Sequence, residues 1–492
     1  MPDFRCDLSA RAVPLVHHWE YSLGSGHAAL ALRADWQQQL ARCHRELGTA
    51  HVRFHGILSD NMGTLTGTDQ NRTYSFFNAD CAYDAILAIG MKPLVELSFM
   101  PSALASGSKT VFTYQGNVTP PVDPQAWDEL VRRLLGHWLE RYGRDAMVRW
   151  PIEVWNEPNL SAFWQATQQD YFSFYAHTAR AVKDAFPELR VGGPVTAKGA
   201  WLEEFQAFLA SSGAPCDFIS THYYPTDALG TATTDTEAQL AGSSRHAMRE
   251  QVQKSRNQVY GRPLYFTEWN LSSSDHDELH DQPMGAAYLI KAIMEMNGLL
   301  DGSSWWTFSD IFAEQSFPYR PFHGGFGLLT LHGVPKPSYR AFQLLHDLGH
   351  HTLPVVGEHA TLDCWCIRGH QRLDLLLTNV ALPRHEICQE AVQVQLTHVA
   401  RPARVLLRRI DENHANPRRS WITMGSPDQL SALQLEQLHG ASALHEEELS
   451  WDWQDGTLTI SLRIPANAVA SITLNFTTQM TRLRAAPDSQ AP

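Results

Sequence analysis

Apolar residues recur along the first two-thirds of the chain in two alternating rhythms. Short runs rich in β-branched and aromatic residues predict strands at 13–20, 50–56, 92–99, 152–156, 190–193, 218–223, 264–269 and 304–309. Between them, apolar positions three and four apart predict helices at 34–47, 79–89, 124–142, 170–186, 200–211, 236–258 and 283–300, and a last one follows at 338–346. Eight strands with intervening helices over about 330 residues fit a closed (β/α)8, or TIM, barrel better than an open doubly wound sheet.

Past residue 350 the rhythm changes. Alternating runs at 361–368, 372–378, 392–397, 403–409, 457–463 and 468–475 follow one another without long amphipathic helices. That pattern predicts an accessory antiparallel β-sandwich. Turn and short-helix signals fill 413–447. The expected division is a barrel over 12–346, a sandwich over 347–477 to which residues 1–11 offer a further strand, and a loose tail over 478–492.

Composition narrows the function. With 43% hydrophobic and 18% charged residues, the chain is of ordinary globular type. A net charge of −13 argues against a general binder of nucleic acid or anionic membranes. No apolar run approaches the roughly 18–20 residues of a membrane-spanning helix. The first residues, M-P-D-F-R-C-D-L, show neither a basic nor an apolar leader region. A cytoplasmic protein is therefore expected, a periplasmic one being left open by a leader already removed. The seven cysteines form no C-x-x-C pair, so reduced thiols are expected rather than a disulfide framework.

Fifteen tryptophans, many beside amides or carboxylates, suit a surface on which sugar rings stack. In a TIM barrel the chemistry sits at the C-terminal strand ends. The polar residues expected there are Glu20, His55, Glu96, Asn156, Glu157, His222, Tyr224, Glu268 and Asp310. The fourth strand ends in W-N-E-P (155–158) and the seventh in T-E-W-N (267–270). Strands four and seven lie across a barrel from each other, so Glu157 and Glu268 are placed to act as a pair of glycosidase carboxylates. G-S-G-H-A-A (24–29) has the spacing of a dinucleotide fingerprint, but H-H-W-E-Y-S before it is too polar for the buried strand such a site needs. Twenty-four histidines include no H-E-x-x-H and no tight cluster, so no metal is expected.

Ordered along the chain, V-R-F-H-G-I-L-S-D (52–60), K-P-L-V-E-L-S-F-M-P (92–101), G-N-V-T-P-P (116–121) and E-V-W-N-E-P-N-L (153–160) resemble glycoside hydrolase family 39. T-H-Y-Y-P (221–225), Y-F-T-E-W-N (265–270), W-W-T-F-S-D-I-F-A-E (305–314) and H-G-G-F-G-L-L-T-L-H-G-V-P-K-P (323–337) continue the resemblance, and I-D-E-N-H-A-N-P (410–417) carries it into the sandwich. The resemblance implies a retaining mechanism without cofactor or metal, with Glu157 as acid/base and Glu268 as nucleophile. It further implies that Asn156 bonds the sugar and that His55, His222, Tyr224 and Glu314 line its subsite. Trp305 and Trp306 belong to the same wall, and His323 and Phe326 to the loop beside it.

Within that family the implied activity is an exo-acting β-D-xylosidase on xylo-oligosaccharides or other β-xylosides. An α-L-iduronidase is the alternative, but those relatives place a lysine where this chain has Tyr224. An exopolysaccharide hydrolase, or a carbohydrate-binding protein without catalysis, also remains.

Overall fold

The computed structural model describes residues 3–68, 71–226 and 235–476; the expected tail at 478–492 lies outside them. Eight parallel strands close into a barrel. They are β1 (Ser22–His27), β2 (His51–His55), β3 (Lys92–Leu97) and β4 (Pro151–Val154), then β5 (Arg190–Thr196), β6 (Phe218–Tyr223), β7 (Leu264–Trp269) and β8 (Gly302–Trp305). The principal helices around them are α1 (Ala34–Leu47), α2 (Phe77–Ile89), α3 (Pro124–Tyr142) and α4 (Gln168–Ala185), then α5 (Leu202–Ser212), α6 (Ala247–Gln258), α7 (Pro283–Glu295) and α8 (Pro337–His346). Local chemistry sets their ends: Asp123 caps α3 with Pro124 in its first turn, and Thr167 and Asp170 form a capping box on α4.

The first strand differs from expectation. The segment 13–20 is not the barrel strand: Val13–Pro14 joins the sandwich edge, and His18–Glu20 is a single 3-10 turn. The barrel strand is instead Ser22–His27, the glycine-containing stretch that imitates a nucleotide fingerprint. Its glycines answer a packing demand. A Cβ on Gly24 would lie 2.4 Å from the Trp306 indole, and one on Gly26 2.5 Å from the Phe312 carbonyl oxygen. Glu20 consequently falls before β1, at the opposite end from the strand C-termini, where its carboxylate bonds His17 and His346 at 2.8 Å each. The expected helix 236–258 is broken at Gly242 into Thr236–Ala241 and Ala247–Gln258.

Two sheets form the sandwich. One has seven strands, with Leu362–Arg368, Arg372–Asn379, Ala468–Asn475 and Arg404–Ile410 at its centre. The other has five and includes Asp3–Asp7, which runs parallel to Glu390–Thr397. Leucine, valine and isoleucine side chains such as Leu375, Val394, Ile460 and Ile472 fill the space between them. The outer face of the seven-stranded sheet joins the barrel core through Leu376, Ile410 and Val469. It covers α7, which is buried along nearly its whole length and is apolar apart from Lys291 and Glu295. No helix of the described residues is long and apolar enough to cross a membrane.

Candidate active site

The strand ends converge on one buried cation. Arg53 of β2 points into the barrel and is fully buried. Its Nε donates to Glu153 at 2.7 Å and its Nη1 to Glu268 at 3.2 Å. Nη2 lies 2.7 Å from Glu96 and donates to Oδ1 of Asn156 at 2.9 Å. The planar fork reaches four groups on three other strands at once, which a point-charge lysine would not. Because Oδ1 of Asn156 faces the guanidinium, the amide NH2 is left for the cavity.

Glu157 and Glu268 meet through His222. Register pairs His222 directly with Glu268 across β6 and β7. The imidazole Nδ1 lies 2.9 Å from Oε1 of Glu157 and 3.6 Å from Oε2 of Glu268. One oxygen from each glutamate and one nitrogen of His222 all fall within 4.8 Å of one another. Burial holds the pKa of His222 well below the usual histidine range, with the Arg53 charge adding to it. The ring is therefore neutral, and its Nδ1–H donates to Glu157. Burial also raises the pKa of Glu268, while Arg53 and then the Tyr224 hydroxyl, donating at 2.6 Å, oppose that rise. The donor set has a spacing that suits a cation, but the guanidinium beside Glu268 already supplies the positive charge and the His222 proton already serves Glu157. It fits a metal poorly.

The backbone at the end of β4 is forced into an uncommon shape. Trp155 and Glu157 have φ of 77° and 43°, in the left-handed region that non-glycine residues avoid. The Trp155 indole N–H bonds the Phe163 carbonyl at 2.7 Å, and the Glu157 N–H bonds the Val195 carbonyl at 2.8 Å.

These residues open into a cleft at the C-terminal ends of the barrel strands. His55, Asn156, Glu157, Tyr224, Glu268, Trp306, Glu314 and Phe326 all line it. Trp306, Phe312, Phe326 and Tyr224 pack together as an aromatic wall. His55 is held by Glu96 at 2.8 Å and its ring centre lies 4.8 Å from that of Trp306. Glu314 is buried at the cavity with Oε1 unbonded, and burial together with the charge of Glu268 pushes its pKa well above the carboxylate range.

Three of the expected residues stand elsewhere. His222 lies behind the two glutamates rather than on the surface of the cleft. Trp305 turns into the core, edge-on to Trp269 at 4.9 Å and to Phe342 at 5.9 Å, so Trp306 is the indole of the wall. His323 lies outside the lining, its Nδ1 3.1 Å from the Arg320 carbonyl and its ring against His276. Several lining residues escape a reading of motifs: Phe112, Phe163, Lys198, Thr226, Ser273 and Gln315. They come from loops without regular pattern. Arg53 had a signal, since V-R-F-H puts an arginine on the same face of a buried strand as His55.

A TIM barrel with two opposed strand-end carboxylates over an aromatic sugar-sized cleft is the architecture of a glycoside hydrolase. The description "Glycosyl hydrolases family 39" matches residues 5–458, and the chain belongs to that family. It is 44% identical over 462 residues to a β-xylosidase of Caldicellulosiruptor saccharolyticus, covering 93% of this chain and 95% of that one. It is 34% identical to a β-xylosidase of Geobacillus stearothermophilus over 92% of each. A monomeric β-xylosidase of Caulobacter crescentus superposes with a TM-score of 0.83 at 33% identity, over 97% of this chain and all of the other.

Arg53→Lys keeps a charge but loses the fork. It is expected to lower the unfolding free energy by about 1.5–3 kcal/mol, the value of a charge-assisted bond in a buried network. The midpoint of denaturant unfolding measures it; an unchanged midpoint would show that the guanidinium contacts are not needed.

Proposed function

We propose that this chain is a retaining, exo-acting β-D-xylosidase that releases xylose from the non-reducing ends of xylo-oligosaccharides. The observation that carries the mechanism is the approach of Glu157 and Glu268 to within 4.8 Å. Retaining enzymes hold their carboxyl groups roughly 5–5.5 Å apart, whereas inverting ones leave room for water at roughly 6.5–9.5 Å. The β-xylosidases similar over most of this chain support the substrate.

Glu268 attacks the anomeric carbon as a carboxylate, kept ionised by Arg53 and Tyr224 against the effect of burial. Oε1 of Glu157 accepts from His222, so its second oxygen carries the proton given to the departing glycosidic oxygen. The bond between sugar and leaving group breaks as the ester to Glu268 forms. Glu157, now a carboxylate, takes a proton from water, whose oxygen then displaces Glu268. The Asn156 amide donates to the hydroxyl next to the anomeric carbon, a contact that strengthens as positive charge develops on the ring. The Tyr224 hydroxyl is engaged with Glu268, where an iduronidase would want a cation for the substrate carboxylate.

Initial rates on aryl β-D-xyloside, β-D-glucoside and α-L-iduronide test the substrate. The xyloside should lead the glucoside in kcat/KM by about 10- to 200-fold. NMR of the first product should show the β anomer. Comparable glucoside or iduronide turnover would sink the substrate, an inverted product the mechanism, and an inactive chain would leave the sugar-binding alternative.

Glu157→Ala should slow substrates with poor leaving groups by about 10²- to 10⁴-fold while sparing activated aryl glycosides. Azide should restore part of the rate and yield a β-glycosyl azide. Equal losses across leaving groups, without rescue, would reverse the assignment.

The pH profile reports Glu268. Activity needs its carboxylate, and its pKa is raised, so kcat/KM should fall with acid at a pH above the ordinary glutamate value. Tyr224→Phe removes a donor to the charged form and should raise that pKa further. The acid limb should then move to higher pH by about one unit or more. A limb that stays, or moves to lower pH, would exclude Tyr224 from this role.

A further inference from the structure

Behind the aromatic wall lies a buried ion cluster that the chemistry above does not use. Lys336, just before α8, is fully buried, with Nζ 2.7 Å from Asp281 and 2.8 Å from Asp310. It also donates to the Gly325 carbonyl at 2.8 Å. Both aspartates reach the same loop: Asp281 accepts from the Gly324 N–H and Asp310 from the Gly327 N–H, each at 2.8 Å. His280 adds a bond to the Gly324 carbonyl at 2.8 Å, and its ring lies 5.3 Å from that of Phe326.

The residue enclosed by these bonds is Phe326. Its ring lies 5.4 Å from Phe312 and 6.5 Å from Tyr224, whose hydroxyl bonds Glu268. The loop backbone fits against the cluster with no room for side chains. A Cβ on Gly325 would lie 2.5 Å from an Asp310 carboxylate oxygen, and one on Gly327 2.3 Å from the Asp310 nitrogen. The charges come from three places, the turn before α7, the segment after β8 and the residue before α8, and they share the 324–327 backbone as their target.

A buried ion pair is weak evidence for stability, because apolar residues of equal volume often serve as well. What apolar residues would not do is bond the N–H and C=O groups on either side of one aromatic residue. We propose that Lys336, Asp281 and Asp310 are positioning residues that hold Phe326 in the wall and so limit the cleft to sugars without an exocyclic carbon. The proposal rests on the xyloside reading of the cleft and names what sets its selectivity.

The test is a double-mutant cycle on the ratio of kcat/KM for aryl β-D-xyloside and β-D-glucoside. Lys336→Met should lower the ratio by about 10-fold, mainly through a lower KM for the glucoside, whose hydroxymethyl group the wall no longer excludes. In a Phe326→Ala background the same substitution should change the ratio by less than about 2-fold, since the group it positions is gone. Equal changes in both backgrounds, or an unchanged ratio in folded Lys336→Met, would overturn the proposal. Should Lys336→Met not fold, Asp281→Asn, which keeps the volume and an acceptor for Gly324, supplies the same comparison.

Calorimetric binding of the xylo- and gluco-configured piperidine iminosugars, which differ by the hydroxymethyl group, repeats the cycle without turnover. Discrimination lost on Lys336→Met supports the positioning role even if the wild type hydrolyses no xyloside, a result that would sink the activity alone. A wild type that binds both iminosugars equally would overturn the positioning role.

Discussion

The guanidinium of Arg53 lies where β2, β3, β4 and β7 converge, within 3.2 Å of three carboxylates and one amide. Ions taken out of water cost several kcal/mol each unless geometry compensates. Here every arm of the fork is occupied, and Glu96 is further held by His55 and Ser98. The acids still outnumber the cation, so the interior does not treat them alike. Glu96, bonded to Arg53 and His55, has its pKa lowered against burial, and Glu314, without a bond to Arg53, is pushed toward its neutral form. One asymmetric cation thus gives like groups unlike surroundings.

That division matters only if the right atoms face the cleft, and strand geometry works against it. Successive residues of a strand point to opposite faces, yet Asn156 and Glu157 both line the cavity. The positive φ of Trp155 and Glu157 breaks the alternation. Such conformations cost about 1–3 kcal/mol each and persist where surrounding structure over-determines them. The indole bond to Phe163, the backbone bond to Val195 and the Arg53–Asn156 bond supply that determination.

Much of this was legible in the sequence, and the failures have physical reasons. Strand and helix periodicity carried the barrel, and W-N-E-P and T-E-W-N marked the ends of β4 and β7 because carboxylates are costly inside apolar strands. The first strand was not legible: Ser22–His27 is nearly all small or polar, since Trp306 and Phe312 occupy the space its side chains would take. Adjacent tryptophans carry no sign of which one faces a cleft; the packing of Trp305 on Trp269 and Phe342 decides it. His323 sits next to a functional loop without lining the cleft, a distinction that proximity in sequence does not make. The cluster joins Asp310 and Lys336, from two separate motifs, to Asp281, which lies in neither, so no single motif displays it.

The sandwich takes part in the same constraint. Its helical insert sends Trp421 and Leu438 against Phe322 and Val334, at the two ends of the segment that carries Phe326. Nearby, Arg340 of α8 donates to the Ser442 carbonyl at 2.7 Å, and the Ser442 hydroxyl to the Pro335 carbonyl at 2.6 Å. The seven-stranded sheet meanwhile covers the apolar outer face of α7, which would face water in a barrel standing alone. Exposing such a surface costs roughly 25 cal/mol for each Å². The wall of the cleft is therefore held from beneath by charge and from outside by apolar packing. Neither support involves Glu157 or Glu268, and both act on the side of the cavity formed by Phe326.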